Sequence, residues 1–133
     1  MTIQRVFASV FTDHLHESRS FWVDLMGFAV TFDSNWFVHL AAPGDAGLEL
    51  GLVKRDHETI PAAYRGAPSG SLITVVVDDV DVFHDRAVFM GVPILEAPTD
   101  MFYGQRRMLV TDPNGQLVDV SSPLDLVTTQ VDV

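Results

Sequence analysis

The chain says almost the same thing twice. An apolar run ending in aspartate, a stretch with helical spacing closed by glycine, and three further strand-like pieces occur in each half of its 133 residues. In the first half "RVFASVFTD" (5–13) leads into "DHLHESRSFWVDLMG", where Leu15, Arg19, Trp22 and Leu25/Met26 recur near helical spacing. In the second, "SLITVVVDD" (71–79) leads into "DVDVFHDRAVFMG", which sets Val80, Phe83, Ala87 and Met90 on one helical face. Asp13 can cap the first helix by accepting backbone N–H bonds and Gly27 can end it in a left-handed turn, while the second helix stops at Gly91. The aspartates stand 66 apart and the glycines 64, so the two copies keep step.

After each helix the hydrophobic period changes from helical to strand-like. "FAVTF", "WFVHL" and "LELGLV" follow the first helix, and "VPILE", "RRMLV" and "LVDVSS" the second. Each half therefore predicts strand, helix, strand, strand, strand, an α+β fold of two βαβββ modules over 3–53 and 71–123 within a single domain. "KRDHETIPAAYRGAPSG" (54–70), rich in proline, glycine and charge, is expected to link them. Two copies are too few for a solenoid, which needs several stacked units.

With "DLMGF" after the first helix, "VDDVD" before the second and the late hairpin signature "TDPNGQLVDV", the duplicated βαβββ pattern resembles the vicinal oxygen chelate superfamily. That superfamily includes glyoxalase I, extradiol dioxygenases, fosfomycin resistance enzymes and bleomycin resistance proteins. The resemblance covers residues 3–123 and implies paired modules whose sheets curl into a cup around a ligand. The fold says little about chemistry, because many functions share it.

Composition narrows the rest. Eighteen acidic against eight basic side chains give a net charge of -10, a field that repels nucleic acid and anionic membrane and draws cations. The absence of cysteine removes thiol catalysis, disulfides and thiolate metal sites, and fits a reducing compartment. Neither a signal peptide nor an eighteen-residue apolar run is read along the chain, so a cytoplasmic protein that does not enter membranes is expected. No nucleophile elbow or glycine-rich phosphate loop stands out, and no cofactor is implied.

Enzymes of the resembled family hold a divalent metal through His, Gln or Glu on the first and last strands of each module. Carried over by register, those positions fall on Val6 and Leu72, and on Glu49 and Asp119. Two of the four are aliphatic and donate no lone pair. A shift of one residue offers only Arg5 or Phe7, and Ser71 or Ile73. Two carboxylates and water make a weak site, so no metal is expected. Among the histidines, His14, His16 and His84 read as exposed helix surface and His57 as a solvated linker residue. His39, in a strand with Phe37 on the same face, is the best candidate for a polar group in the cup, although a structural role is the commoner one for such a residue.

The carboxylates Glu49 and Asp119 occupy matching places in the last strand of each half. If Leu48, Leu50, Leu52, Val118 and Val120 pack outward, both carboxylates point into the cup, with Gly51 leaving room beside Glu49. Val6, Ala8 and Val10, with Leu72, Thr74 and Val76, would then form an apolar floor. Solvated strand carboxylates are the plainer alternative. Trp36, Phe37, Phe102, Tyr103 and Gln105 can supply a flat, partly aromatic rim suited to a planar or cationic ligand, though Trp36 and Phe102 fit a core or interface equally well. At most one of Arg106 and Arg107 faces inward, and an inward one can pair with a carboxylate.

The expected function is a metal-free small-molecule-binding protein, similar to bleomycin resistance proteins, that sequesters a planar or cationic compound such as an antibiotic and works as a homodimer. The rivals are a metal-dependent glyoxalase- or dioxygenase-like lyase or isomerase, a metal-free acid–base enzyme using Glu49 and Asp119, and a scaffold with a vestigial cup.

Overall fold

The computed structural model describes residues 2–44 and 47–124. Its order is β1 (Ala8–Thr12), α1 (Leu15–Ser20), β2 (Ala29–Asp33), β3 (Phe37–Ala41), β4 (Glu49–Lys54), β5 (Leu72–Val76), α2 (Val80–Met90), β6 (Ile94–Asp100), β7 (Gln105–Thr111) and β8 (Leu117–Pro123). The chain forms two compact units. Among the described residues, one runs to Pro68 and takes in Pro113–Gly115; the other comprises Ser69–Asp112 and Gln116–Leu124. Among the described residues no helix is long and apolar enough to cross a membrane.

Each unit carries one four-stranded mixed sheet, ordered β1-β4-β3-β2 in the first and β5-β8-β7-β6 in the second. In both, the first strand pairs in parallel with the last and the other pairings are antiparallel. The two tandem βαβββ modules expected from the sequence are therefore present. Pro98 lies in β6, an edge strand, where its missing N–H costs the ladder least.

In the first unit, α1 packs on β3 and β4. Val38, Leu40, Leu50 and Leu52 are buried, as are Phe21, Trp22 and Leu25 in the turns that continue α1 with π-helical winding (Phe21–Leu25). The wider winding ends at Gly27, whose φ of 80° needs no Cβ to be avoided. Asp13 does not cap this helix. The N-cap is His14, whose own N–H is taken by the Thr12 hydroxyl at 2.8 Å, while the Asp13 carboxylate pairs with Arg55. That ion pair holds the Asp13 carboxyl below its ordinary range. In the second unit Asp79 does cap α2, accepting the Asp81 N–H at 3.0 Å, and the Val80 N–H goes to the buried Ser122 hydroxyl. Val80 and Ala87 are buried beneath α2, over Met108, Val110, Val118 and Val120.

Register corrects one expectation. Ala8 and Val10 lie beside Leu50 and Leu52, so they share the helix-covered face and not the face of Glu49. The residues on the Glu49 side are Ser9, next to Gly51, and those spaced from it by two. Leu48 does not pack with Leu50 and Leu52 either: it precedes β4 and is 59% exposed. In the second unit the expected parity is correct, with Thr74 beside Asp119 and Leu72 and Val76 in step with it, although both apolar side chains are exposed.

Candidate functional site

The open face of the first sheet collects a polar cluster around Glu49. Strand alternation puts Glu49 and Gly51 of β4 on this face, and antiparallel pairing sets His39 of β3 directly opposite Gly51. Glu49 Oε1 lies 2.6 Å from His39 Nε2. The Arg5 guanidinium closes on the same carboxylate, its Nε donating at 3.1 and 3.2 Å to the two oxygens and a terminal nitrogen in closer contact still. Thr31 of β2 meets His39 Nδ1 through its hydroxyl, which also donates to the His39 carbonyl at 3.2 Å. The Phe7 ring stands edge-on to His39 at 5.1 Å, and the Arg5 guanidinium carbon sits 5.2 Å from that ring's centre. Arg5 also holds the Glu49 carboxyl below its ordinary range, with burial opposing it and His39 assisting.

Glu49 is therefore a paired carboxylate, and its arginine is Arg5 and neither Arg106 nor Arg107. Nor does Gly51 leave room beside it. A methyl there would overlap the Ser9 hydroxyl and come within 3.0 and 3.2 Å of the Phe37 ring, so the glycine is a packing requirement. Trp36 precedes β3 and stacks on His57, with ring centres 3.8 Å apart and planes 11° from parallel. His57 is thus held by an aromatic face. Arg5 and Thr31 join the site without a motif of their own; the one sequence signal is that Arg5 shares the parity of Phe7 and Ser9 in "RVFASVF", although Arg5 precedes β1.

The second sheet presents a different set. Asp119 of β8 lies between Thr74 of β5 and Leu109 of β7. It is 7% exposed; Oδ2 accepts from Thr74 at 3.4 Å, and Oδ1 is buried without a partner. Burial pushes this carboxyl up, opposed by the charge of Arg107 and the bond from Thr74. Arg107 shares the Asp119 face and is bonded to Glu96 at 3.0 Å, whereas Arg106 turns to the other face and binds Asp81 of α2 and Asp100. Gln105 has the parity of Arg107, and its Oε1 is buried without a partner. Phe102 and Tyr103 meet edge to face at 5.3 Å in the β6–β7 turn, where Phe102 is 95% exposed. Within the first unit Phe37, His39 and Glu49 share one face of the sheet and Trp36 stands at a strand end; within the second Gln105 and Asp119 share one face of the sheet, and Phe102 and Tyr103 stand at a strand end.

The family model of the Glyoxalase/Bleomycin resistance protein/Dioxygenase superfamily matches residues 3–120, nearly the whole chain. The protein belongs to this superfamily. No curated protein matches it. Among solved structures, TnmS3, an antibiotic binding protein from Streptomyces sp. CB03234, is 26% identical, with 92% of this chain and 98% of that one covered and a TM-score of 0.72. A superfamily member from Sphaerobacter thermophilus DSM 20745 is 23% identical over 91% and 98% of the two chains, with a TM-score of 0.72. Lactoylglutathione lyase from Agrobacterium tumefaciens is 18% identical over 92% and 96%, with a TM-score of 0.69. At these last two identities the likeness speaks for the fold alone.

The metal that many superfamily members hold can be tested against the donors in place. Among the described residues no three His, Asp or Glu side chains are grouped to hold a metal ion. In the first unit Glu49 and His39 make a pair, but a guanidinium already covers the carboxylate, and its charge repels a divalent cation. In the second, Asp119 is flanked by threonine and leucine on its neighbouring strands. These residues do not fit a resident metal of the usual three- or four-ligand kind.

Proposed function

We propose that this superfamily member is a metal-free small-molecule-binding protein of the bleomycin-resistance type, which sequesters a planar or cationic compound and functions as a homodimer. The observation that carries the reading is the donor set. Glu49 is engaged by Arg5 and His39, and Asp119 has no second metal-ligating side chain beside it on its neighbouring strands, whereas aromatic and apolar groups lie exposed on or near the sheets. Such surfaces suit flat ligands, and the net charge of -10 favours cationic ones. The likeness to the antibiotic-binding TnmS3 supports a role in drug binding.

A thermal-shift screen of planar and cationic compounds, run with and without Mn, Ni and Zn salts, tests this. A ligand at a hundred times its Kd stabilises by about 2.7 kcal/mol, which is readily seen. The expected result is a set of flat organic hits whose shifts do not depend on metal. Hits that appear only with a divalent metal, or none in a broad library, would overturn it. One observation favours a second reading, metal-free acid–base chemistry at Asp119. Its carboxyl is raised by burial, as a proton-donating group requires, while Glu49 is lowered and unsuited to share that work.

A further inference from the structure

Arg5 belongs to no strand. It lies on the segment that precedes β1, yet its guanidinium makes the most extensive polar contact of the first sheet's open face. Two groups receive it: the Glu49 carboxylate, which accepts from Nε and a terminal nitrogen, and the Phe7 ring; His39 Nε2, which meets the same carboxylate, lies 3.0 Å from that terminal nitrogen. A fork of N–H donors on a carboxylate, with an aromatic face beside the charge, is how proteins bind planar guanidinium and amidinium groups. The half-buried carboxylate and imidazole are fixed by strands, whereas the cation that completes them comes from a coil and remains 56% exposed.

We infer that Phe7, His39 and Glu49 form a binding site for a planar amidinium or guanidinium ligand, and that Arg5 occupies it as a tethered competitor. This rests on the binding-protein reading and adds both a ligand class and a means of control. The arm leaves the site accessible only in the fraction of molecules where Arg5 has swung away, and apparent affinity falls by that fraction. An external amidinium gains the contacts Arg5 gives up, so binding and release of the N-terminal segment are one equilibrium. A neutral ligand of the same shape cannot replace the guanidinium at Glu49, so it binds there weakly whether or not the arm has left.

The test titrates benzamidinium chloride and neutral benzamide calorimetrically, at one ionic strength, into wild type, Arg5→Ala, Arg5→Lys and the double variant Arg5→Ala/Glu49→Gln. With the arm closed about nine-tenths of the time, Arg5→Ala should bind benzamidinium about tenfold more tightly than wild type. Arg5→Lys, which keeps a tethered cation, should stay weak, benzamide should bind all four proteins far more weakly than benzamidinium binds Arg5→Ala, and Glu49→Gln should abolish the gain for benzamidinium. Arg5→Ala binding benzamidinium no better than wild type overturns the inference. So does benzamide binding Arg5→Ala as tightly as benzamidinium, or a benzamidinium gain that survives Glu49→Gln. Ligands from the screen whose affinities ignore Arg5→Ala would leave the binding function standing and remove this site from it.

Discussion

Gly51→Ala offers the sharpest check on the packing of the first sheet. The residue is buried in β4 between Ser9 and His39, and its φ is one that alanine accepts. Ordinarily, replacing a strand glycine with alanine stabilises, by about 0.5–1 kcal/mol. Here the new methyl overlaps the Ser9 hydroxyl and presses on two Phe37 ring carbons at 3.0 and 3.2 Å. The hydroxyl can rotate away; the ring has to shift by a few tenths of an ångström. Overpacking of this kind costs about 1–3 kcal/mol, so the net loss should be about 1–2 kcal/mol. For a chain of this length that lowers Tm by roughly 3–10 °C. Ser9→Ala removes the atom that clashes most severely, is itself nearly neutral, and should recover about half the loss when combined with Gly51→Ala. Urea and thermal unfolding of the two single variants and the double variant provide the measurement. A Gly51→Ala protein as stable as wild type would show that the face beside Glu49 holds open space after all.

Three further outcomes are expected. Purified protein should carry far less than one Mn, Fe, Ni or Zn per chain by elemental analysis, and one tightly held metal lost on Glu49→Ala would refute the donor-set argument. Light scattering at micromolar concentration should give the mass of a homodimer, because each sheet leaves edge strands and apolar side chains that a second chain can cover. Asp119→Asn should stabilise the protein at neutral pH. The native carboxyl titrates above its unfolded value, so ionisation destabilises the fold as pH rises; the advantage of the variant should shrink toward zero as pH falls below about 4, and an advantage that grows on acidification would reverse the sign.

How far the sequence disclosed all this depended on the range of the interaction. The second helix was legible in its apolar face and its stop at Gly91, which are local chemistry; its Asp79 cap is seen in the structure. The start of the first is not local: in "TD" two oxygen-bearing side chains compete for the helix, and Arg55, 42 residues away, draws off the aspartate. Strand positions followed from alternation in β4 and β8, where polar and apolar residues separate cleanly. In "RVFASVF" one parity (Val6, Ala8, Val10) is apolar and the other mixes Arg5 and Ser9 with Phe7 and Phe11; alternation marks the apolar side for burial but does not say whether helix or cup covers it, and register decided that Ser9, not Val10, shares a face with Glu49. The pairing of Arg5 with Glu49 joins long side chains 44 residues apart, and no periodic pattern encodes that.

The hairpin between β7 and β8 has a consequence for how the molecule is made. Its turn, Pro113–Gly115, belongs to the first unit although both flanking strands belong to the second. There Asn114 accepts from the buried Thr12 at 2.6 Å and donates to the buried Ser18 at 2.7 Å, closing a ring of three polar side chains beneath α1. During synthesis, residues 2–68 leave the ribosome with that ring unfinished: the Thr12 and Ser18 hydroxyls have each other, but the amide that bridges them is still untranslated. The first module reaches its final form only after most of the second has emerged, so the duplication visible in the sequence does not translate into two successive folding events.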